Sequence, residues 1–503
     1  MSNFKKKAAA FFRGEGFLGT SMTALLIGVV IAFNAIIYAL TAGFGLYLYS
    51  PEVDDLSISG ATDEYFEKIN DHGRQVTILF CREKSAIENS SDEVHTFHET
   101  ALQFAERYPE LIRLEYVNII TKRNSSGELV DLTPYQKASD GTSYPLHDYS
   151  VIFLSDITYK TVPNIGSATC TYGEDSSGST ALTSYNGEEV CAAMVKWVLE
   201  SEHKTAYFTT YHGEVSDISF ANMLSCAGFE IATIDLKSVS MIPENAGLVV
   251  ISNPIEDFES AAGNGVFSEI EKLDAYLKDG GNLFVALDPY VERLTELEGL
   301  LSRHGIDISY SEDGAKNLIR DSDQGVTVDY FTLISTLSDT ELGASIKEKL
   351  DKHGSSKVRL KECAALILSG NAEPLLKSSA SAELYSGGKK TDGSGNYAMS
   401  AVSFTDNENG TRSSVFVVPS VYLTSSDVVV TSSYANRDFV YSVIDKVFGA
   451  GAVPYGCNTV YRDSGMLENL TMGTARIYAT LIFMIPAAIT VVGSVIIIRR
   501  KNK

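Results

Sequence analysis

The chain has 503 residues and carries 64 Asp and Glu against 41 Lys and Arg, a formal net charge of −23. That acidity excludes nucleic acid as a partner, because affinity for a phosphate backbone is supplied by clustered Lys and Arg. An apolar fraction of 44% with 10% aromatics excludes a disordered chain, and the length accommodates two or three folded domains.

In chain order, the first signal is the apolar run 21–42, answered near the other end by 477–498. At ~1.5 Å per helical residue each is long enough to cross a bilayer. Lys5, Lys6, Lys7 and Arg13 precede the first run, and Arg499, Arg500, Lys501 and Lys503 follow the second. This predicts two transmembrane helices with both termini cytoplasmic and the bulk of the chain extracytoplasmic. The first run is long and lacks a small-x-small site, which argues against a cleaved signal peptide. The expected organisation is a cytoplasmic segment 1–20, a transmembrane helix 21–47, an α/β domain 51–200, a second α/β domain 201–455, a transmembrane helix 475–498 and a cytoplasmic tail 499–503.

In the first domain, Val76–Cys81 reads as a strand. A helix follows, with Ser90 and Glu93 spaced as a capping box, Val94, Phe97, Ala101, Phe104 and Tyr108 on one face, and Pro109 marking its end. Ile112–Ile119 returns as a strand, so the unit is βαβ-like and thioredoxin-like in outline. His95 and His98, at i and i+3 on that helix, form a spacing that a metal can share, with no third ligand in view. The polar stretch 122–148 and the Gly- and Ser-rich stretch 166–179 read as loops, with strands at 150–155 and 159–162 between them and a helix at 188–199 that holds Trp197. The six cysteines, Cys81, Cys170, Cys191, Cys226, Cys363 and Cys457, show neither CxxC nor metal-ligand spacing. Their even number permits disulfides, while Cys191 and Cys226 sit in apolar helical contexts that suit buried thiols. Asn89, Asn124, Asn409 and Asn469 head N-x-S/T sequons.

From Lys204 to Pro289 strand, turn and helix signals alternate without interruption. Thr205–Tyr211, Phe229–Leu236, Gly247–Ser252 and Asn282–Leu287 read as strands. Helices are expected at 218–227 and over the face formed by Val266, Phe267, Ile270, Leu273 and Leu277. Near-continuous apolar strands between amphipathic helices imply a parallel sheet covered on both faces. Its strands would deliver His212-Gly213-Glu214, Asn253-Pro254 and Asp288-Pro289 to one polar, acidic rim, the usual ligand crevice of an open α/β sheet. His212, Glu214, Asn253 and Asp288 are therefore the candidate ligand-binding residues. A bland reading stands beside it, in which Asn253 and Asp288 make turns before prolines and His212 satisfies loop backbone. Beyond Pro289, short strands separated by Gly- and Ser-rich turns over 358–431 predict a β-rich extension. Asn436 is placed to cap a final helix whose Phe439, Val440, Val443, Ile444 and Val447 face a core.

The string YHGE at 211–214, Ile242-Pro243, Asn253-Pro254 with Asp257-Phe258, GGNLFVALDP at 280–289 and NRDF at 436–439 occur in this order. With the opening Val53–Ile69, they resemble the GldG-like auxiliary proteins of ABC transport systems. The resemblance covers most of the chain. It implies a GIFT-like first domain, a flavodoxin- or amidotransferase-like parallel sheet with a β-rich extension in the second, a membrane helix at each end, and an ABC ATPase and a polytopic permease as partners.

Chemical motifs are missing. There is no G-x-x-x-x-G-K-[ST], H-E-x-x-H or G-x-S-x-G, and no cysteine at a strand-to-helix turn. The expectation is a non-catalytic auxiliary subunit without cofactor, whose ectodomain binds a partner permease or an extracytoplasmic ligand such as a small molecule or glycan. The rival expectation is a cell-surface hydrolase or carbohydrate-processing enzyme using His212 and Glu214 as base and acid or as metal ligands.

Overall fold

Helix α1 (Gly60–Phe66) is the first element of the described chain. In this computed structural model, the described residues are 56–69, 73–137, 143–174, 180–260, 267–326, 329–352, 355–430 and 434–461, with positions 480, 484 and 493. All of them fall in one compact unit.

Strand β1 (Val76–Phe80) is followed by the short α2 (Lys84–Glu88), α3 (Glu93–Arg107) and β2 (Ile112–Asn118). β1 and β2 are parallel, with Val76 opposite Ile112. The apolar stripe on α3 is real, since Val94, Phe97, Ala101 and Phe104 are all buried. Its cap differs from expectation. Asp92, rather than Ser90, accepts the His95 N–H at 3.1 Å, and the Ser90 hydroxyl donates to Asp92 Oδ1 at 3.0 Å. A carboxylate two residues nearer the helix offers the charge that the N-terminal dipole favours.

β3 (Arg123–Asn124), β4 (Val151–Leu154) and β5 (Tyr159–Val162) complete a five-stranded sheet of order β3-β2-β1-β4-β5. The expected loop 166–179 instead contains part of α4 (Ile165–Thr169) and β6 (Cys170–Glu174), which pairs with β7 (Thr180–Tyr185). Helix α5 (Gly187–Leu199) is buried along its whole length. Its Glu188 carboxylate accepts from the Ser59 N–H at 3.0 Å and from the Asn458 N–H at 3.0 Å, tying two distant segments to one helix end.

The second sheet begins with β8 (Thr205–Thr209), α6 (Ile218–Cys226), β9 (Glu230–Ile234), β10 (Ala246–Ser252), α7 (Glu269–Lys278) and β11 (Asn282–Ala286). These strands are parallel, as expected. After α8 (Thr295–Arg303) come β12 (Ile306–Ile308), β13 (Leu318–Arg320), β14 (Thr332–Leu337), α9 (Glu341–Lys352), β15 (Val358–Lys361), β16 (Leu366–Leu368) and β17 (Ala372–Lys377). β18 (Ala382–Ser386), β19 (Lys389–Gly395), β20 (Ala398–Asp406) and β21 (Arg412–Val418) follow, then α10 (Ser426–Val429), α11 (Asn436–Lys446) and β22 (Val460–Tyr461).

The β-rich extension does not stand apart. β21 joins the parallel strands beside β11, and β20, β17, β14 and β15 continue the same sheet antiparallel, giving the order β15-β14-β17-β20-β21-β11-β10-β8-β9. One hydrophobic core runs from Phe97 of α3 and Phe153 of the first sheet through α5 to Phe220 of α6 and Phe284 and Phe416 of the second sheet. The expected boundary near residue 201 thus lies between elements that share a core. What is secured is a mixed α/β architecture with several sheets.

Four expectations need correction or placing. Asn436 does not cap α11 but is fully buried, accepting from the Arg359 N–H at 2.8 Å and donating to the Arg359 carbonyl at 2.9 Å. Phe267 is exposed rather than on the core face of α7, and Val266 lies outside the described residues. All six cysteines are free thiols. Among the described residues no helix is long and apolar enough to cross a membrane, and the runs 21–42 and 477–498 lie outside them. The two-pass membrane placement, with its cytoplasmic termini and extracytoplasmic bulk, is corrected on that finding and is not carried further.

Candidate functional site

The strand order places the ends of β8, β10 and β11 side by side, with neighbouring strands about 4.8 Å apart. β8 ends in a turn that two left-handed residues make possible, Tyr211 at φ 78° and Gly213 at φ 74°. A Cβ at Gly213 would collide with Cγ1 and Cδ1 of Ile255, so this turn and the loop after β10 pack without a gap. The two are also joined by backbone, since the N–H groups of Ile255 and Glu256 donate to the His212 carbonyl at 2.8 and 3.0 Å.

This tight turn drives His212 inward, to 1% exposure. Its Nδ1 lies 3.0 Å from Glu214 Oε1, and its Nε2 lies 3.1 Å from Glu269 Oε2. An ionised carboxylate only accepts, so a carboxylate on each side of the ring favours a proton on both nitrogens. Glu214 also accepts the His212 N–H at 2.7 Å, and Glu269 accepts the Glu259 N–H at 2.8 Å. Phe258 covers one face of the ring, with centroids 3.9 Å apart and planes 15° from parallel.

Burial opposes charge on His212, but the hydrogen bonds and charges of Glu214 and Glu269 outweigh it and hold the imidazole above its ordinary pKa. Burial likewise acts to raise Glu214, and the His212 ring and nearby backbone N–H groups reverse the effect, leaving the carboxyl below its usual range. Both ring nitrogens are committed, so the imidazole offers no lone pair to a substrate or a metal. The triad is a buried clamp joining the β8 turn, the loop after β10 and the first turn of α7.

His212 and Glu214 are thus brought together. Asn253 and Asp288 are not in the clamp. Asn253 has a left-handed backbone at φ 55°, and its N–H donates to the Ala286 carbonyl at 2.9 Å, linking the ends of β10 and β11. Asp288 accepts the Tyr290 N–H at 2.8 Å in its own turn, and its carbonyl accepts from Lys316 Nζ at 3.1 Å. Asp288 thus makes a local turn, whereas the Asn253 Oδ1 is buried with no hydrogen-bond partner among the described residues.

Glu269 was missed by sequence reasoning. Ser268 and Glu271 form a capping box that starts α7, which puts Glu269 in the first turn, but nothing local marks it as the partner of a residue 57 positions earlier. Asp257 has a role across space as well. It accepts the Glu296 and Leu297 N–H groups at 2.9 and 3.2 Å and so caps α8. Asp217 accepts the Ser219 N–H that begins α6 and the Ser426 N–H that begins α10, both at 2.8 Å.

The rim is mixed in character. Glu214, Glu269, Asp257 and Asp217 turn inward to these tasks, Glu256 and Glu259 stay exposed, and Tyr211 (74% exposed), Val215, Ile218, Ile255 and Tyr290 also face solvent. The histidine pair of α3 does not converge either. His98 is buried, with Nε2 2.8 Å from the Tyr116 hydroxyl, and His95 Nδ1 lies 3.1 Å from the Ile87 carbonyl. Among the described residues no group of three or more His, Cys, Asp or Glu could hold a metal ion.

No family model matches this chain, and no curated protein matches it. Solved structures that share part of its fold include the N-terminal domain of mmIFT52, at 16% identity and TM-score 0.36, covering 48% of this chain and 97% of that one. A ThuA-like protein from Bacteroides uniformis shows 12% identity and TM-score 0.30, covering 50% and 94%. PurLQS from Thermotoga maritima shows 12% identity and TM-score 0.28, covering 48% and 98%. At these scores the likenesses assign neither a fold family nor an activity.

Proposed function

We propose that this chain is a non-catalytic binding subunit whose strand-end rim docks a protein partner. The observation that carries the reading is the exposure of Tyr211, Val215, Ile218, Ile255 and Tyr290 in the segments that follow β8, β10 and β11, the first of which His212, Glu214 and Glu269 lock from beneath. Large side chains on rigid backbone lose little entropy when they bind, which is what a docking surface requires. A hydrolase would need an open acid or base. The committed nitrogens of His212 favour the binding role instead.

The partner assigned here is an ABC-type transport system, comprising its ATPase and its polytopic permease subunit. This assignment rests on the resemblance of the YHGE, Asn-Pro, GGNLFVALDP and NRDF strings to GldG-like proteins. The parallel strands in the order β9-β8-β10-β11-β21 support the flavodoxin-like form of the second sheet, with His212 and Asn253 at its β8/β10 switch point. The β1-α3-β2 unit, with antiparallel β4 and β5 beside it, supports the thioredoxin-like and GIFT-like outline of the first.

The test is affinity capture of the full chain from cells of its source, with the bound proteins identified by mass spectrometry. Wild-type protein is expected to recover an ATPase with a phosphate-binding loop and a multi-span subunit, and a Tyr211→Ser, Ile255→Ser, Tyr290→Ser variant is expected to lose both. Absence of these subunits from the wild-type capture, or equal recovery by the variant, would refute the proposal.

A further inference from the structure

Helices α1, α9 and α11 and the segment 451–455 enclose a cleft of about 340 Å³ that shares no residue with the rim. Its charged lining is Lys68, Lys349, Lys352 and Lys446 against Glu64 and Asp445. Four cations facing two anions are out of keeping with a chain whose net charge is −23. Random placement on so acidic a surface would more readily give the opposite sign.

The ion pairs within the cleft leave this excess in place. Lys352 Nζ sits 2.8 and 3.1 Å from the two carboxylate oxygens of Glu64. Lys349 and Lys446 share a single oxygen, Asp445 Oδ2, at 3.4 and 3.3 Å. Lys68 makes no ion pair among the described residues. Lys349 is the most enclosed of the four, and its ammonium lies 4.0 Å from the centroid of the Tyr455 ring. Burial lowers its pKa, Asp445 pulls it back, and Lys446 and Lys68 push it further down. The lysines therefore repel one another in a partly desolvated space, a situation that a bound anion relieves.

The chemistry of the lining narrows the ligand. Carboxylates are favoured partners of arginine, whose planar fork matches them with two parallel hydrogen bonds, whereas lysine acts as a compact point charge that serves phosphate oxygens. This cleft has lysines and no arginine. Its volume lies in the range of small-molecule sites, roughly 300–1,000 Å³, and Tyr455, Ala452 and Val453 give it an apolar wall. We propose that the cleft binds a small phosphorylated molecule, with Lys349, Lys352 and Lys446 holding the phosphate and Tyr455 backing the organic part.

The test is isothermal titration calorimetry of the full chain with inorganic pyrophosphate at low ionic strength. Saturable binding at one site per chain is expected, weakened by added salt and reduced at least tenfold in a Lys349→Gln, Lys446→Gln variant. Lys389→Gln, on the distant β19, should leave it unchanged. Should the half-buried Lys349 prove necessary for folding, Lys68→Gln with Lys352→Gln removes two exposed charges and is expected to weaken binding as well. A phosphate on a lipid headgroup presents the same chemistry, so a second arm uses phosphatidic acid vesicles in a sedimentation assay. No saturable heat with pyrophosphate, equal weakening by the β19 control, or sedimentation with vesicles in the absence of pyrophosphate binding would each overturn the proposal.

Discussion

Nε2 of His212, in the turn after β8, lies 3.1 Å from the carboxylate of Glu269 in the first turn of α7, and both side chains are about 1% exposed. With Glu214 on the opposite nitrogen, this contact makes a buried charge cluster the support of an apolar rim. Breaking a buried pair leaves a charge stranded, which costs about 3–5 kcal/mol. A His212→Gln variant is expected to lose stability of that order, measured by chemical denaturation.

The same cluster sets a pH dependence. The raised pKa of His212 stabilises the folded state fully below the ordinary imidazole value of 6.5, and the gain is lost as pH rises through the raised value. The lowered pKa of Glu214 stabilises above the ordinary carboxyl value of 4.5, and that gain is lost as pH falls through the lowered one. Wild-type protein should therefore exceed His212→Gln by the largest margin between pH 4.5 and 6.5, with the margin shrinking on either side. Melting curves across pH check this, and a margin that stays constant as the pH is raised into the alkaline range would contradict a charged His212.

Gly213 and Ile255 should behave as a coupled pair. Gly213→Ala adds a Cβ where Ile255 already sits and forces a side chain into a left-handed backbone. The expected loss is about 2–4 kcal/mol, from overpacking and backbone strain together. Ile255→Ala opens the space, so the double variant should recover the overpacking share and retain only the backbone share. Denaturation midpoints of the three proteins form the cycle, and simple additivity would show that the two residues do not meet.

Tyr211 holds an exposed ring on a left-handed backbone, a conformation that costs an L-residue about 1–2 kcal/mol. Glycine removes that strain but gives back about 0.5–1 kcal/mol in unfolded-state entropy. Tyr211→Gly is therefore expected to fold with unchanged or slightly higher stability while weakening capture of the partner subunits. A large loss of stability in this variant would mean that the ring is part of the fold rather than of a docking surface.

Asp257 is a helix cap supplied from a distance of 39 residues. Asp257→Ala leaves two N–H groups of α8 without acceptors and should cost about 1–2 kcal/mol, whereas Asp257→Asn keeps one acceptor oxygen and should cost less. Amide hydrogen exchange checks the assignment. Protection is expected to fall first at Glu296 and Leu297, and unchanged protection there would contradict the cap.

How much of this was legible beforehand depends on how far each signal reaches along the chain. The parallel run β8, β9, β10 and β11, the core stripe of α3 and the β-rich character of 358–431 could be read from the residues, because periods of 2 and 3.6 are written over a few consecutive positions. Likewise, placing His212, Glu214, Asn253 and Asp288 at strand ends needed only the rule that parallel strands share an edge. The inward turn of His212 toward Glu269, the capping of α8 by Asp257, the bridging role of Asn436 and the merging of the β-rich strands with the parallel sheet were decided by tertiary structure. A pattern of residue types records which face of an element is apolar. Which carboxylate meets which imidazole across 57 residues depends on how the elements pack, and no local periodicity carries that information.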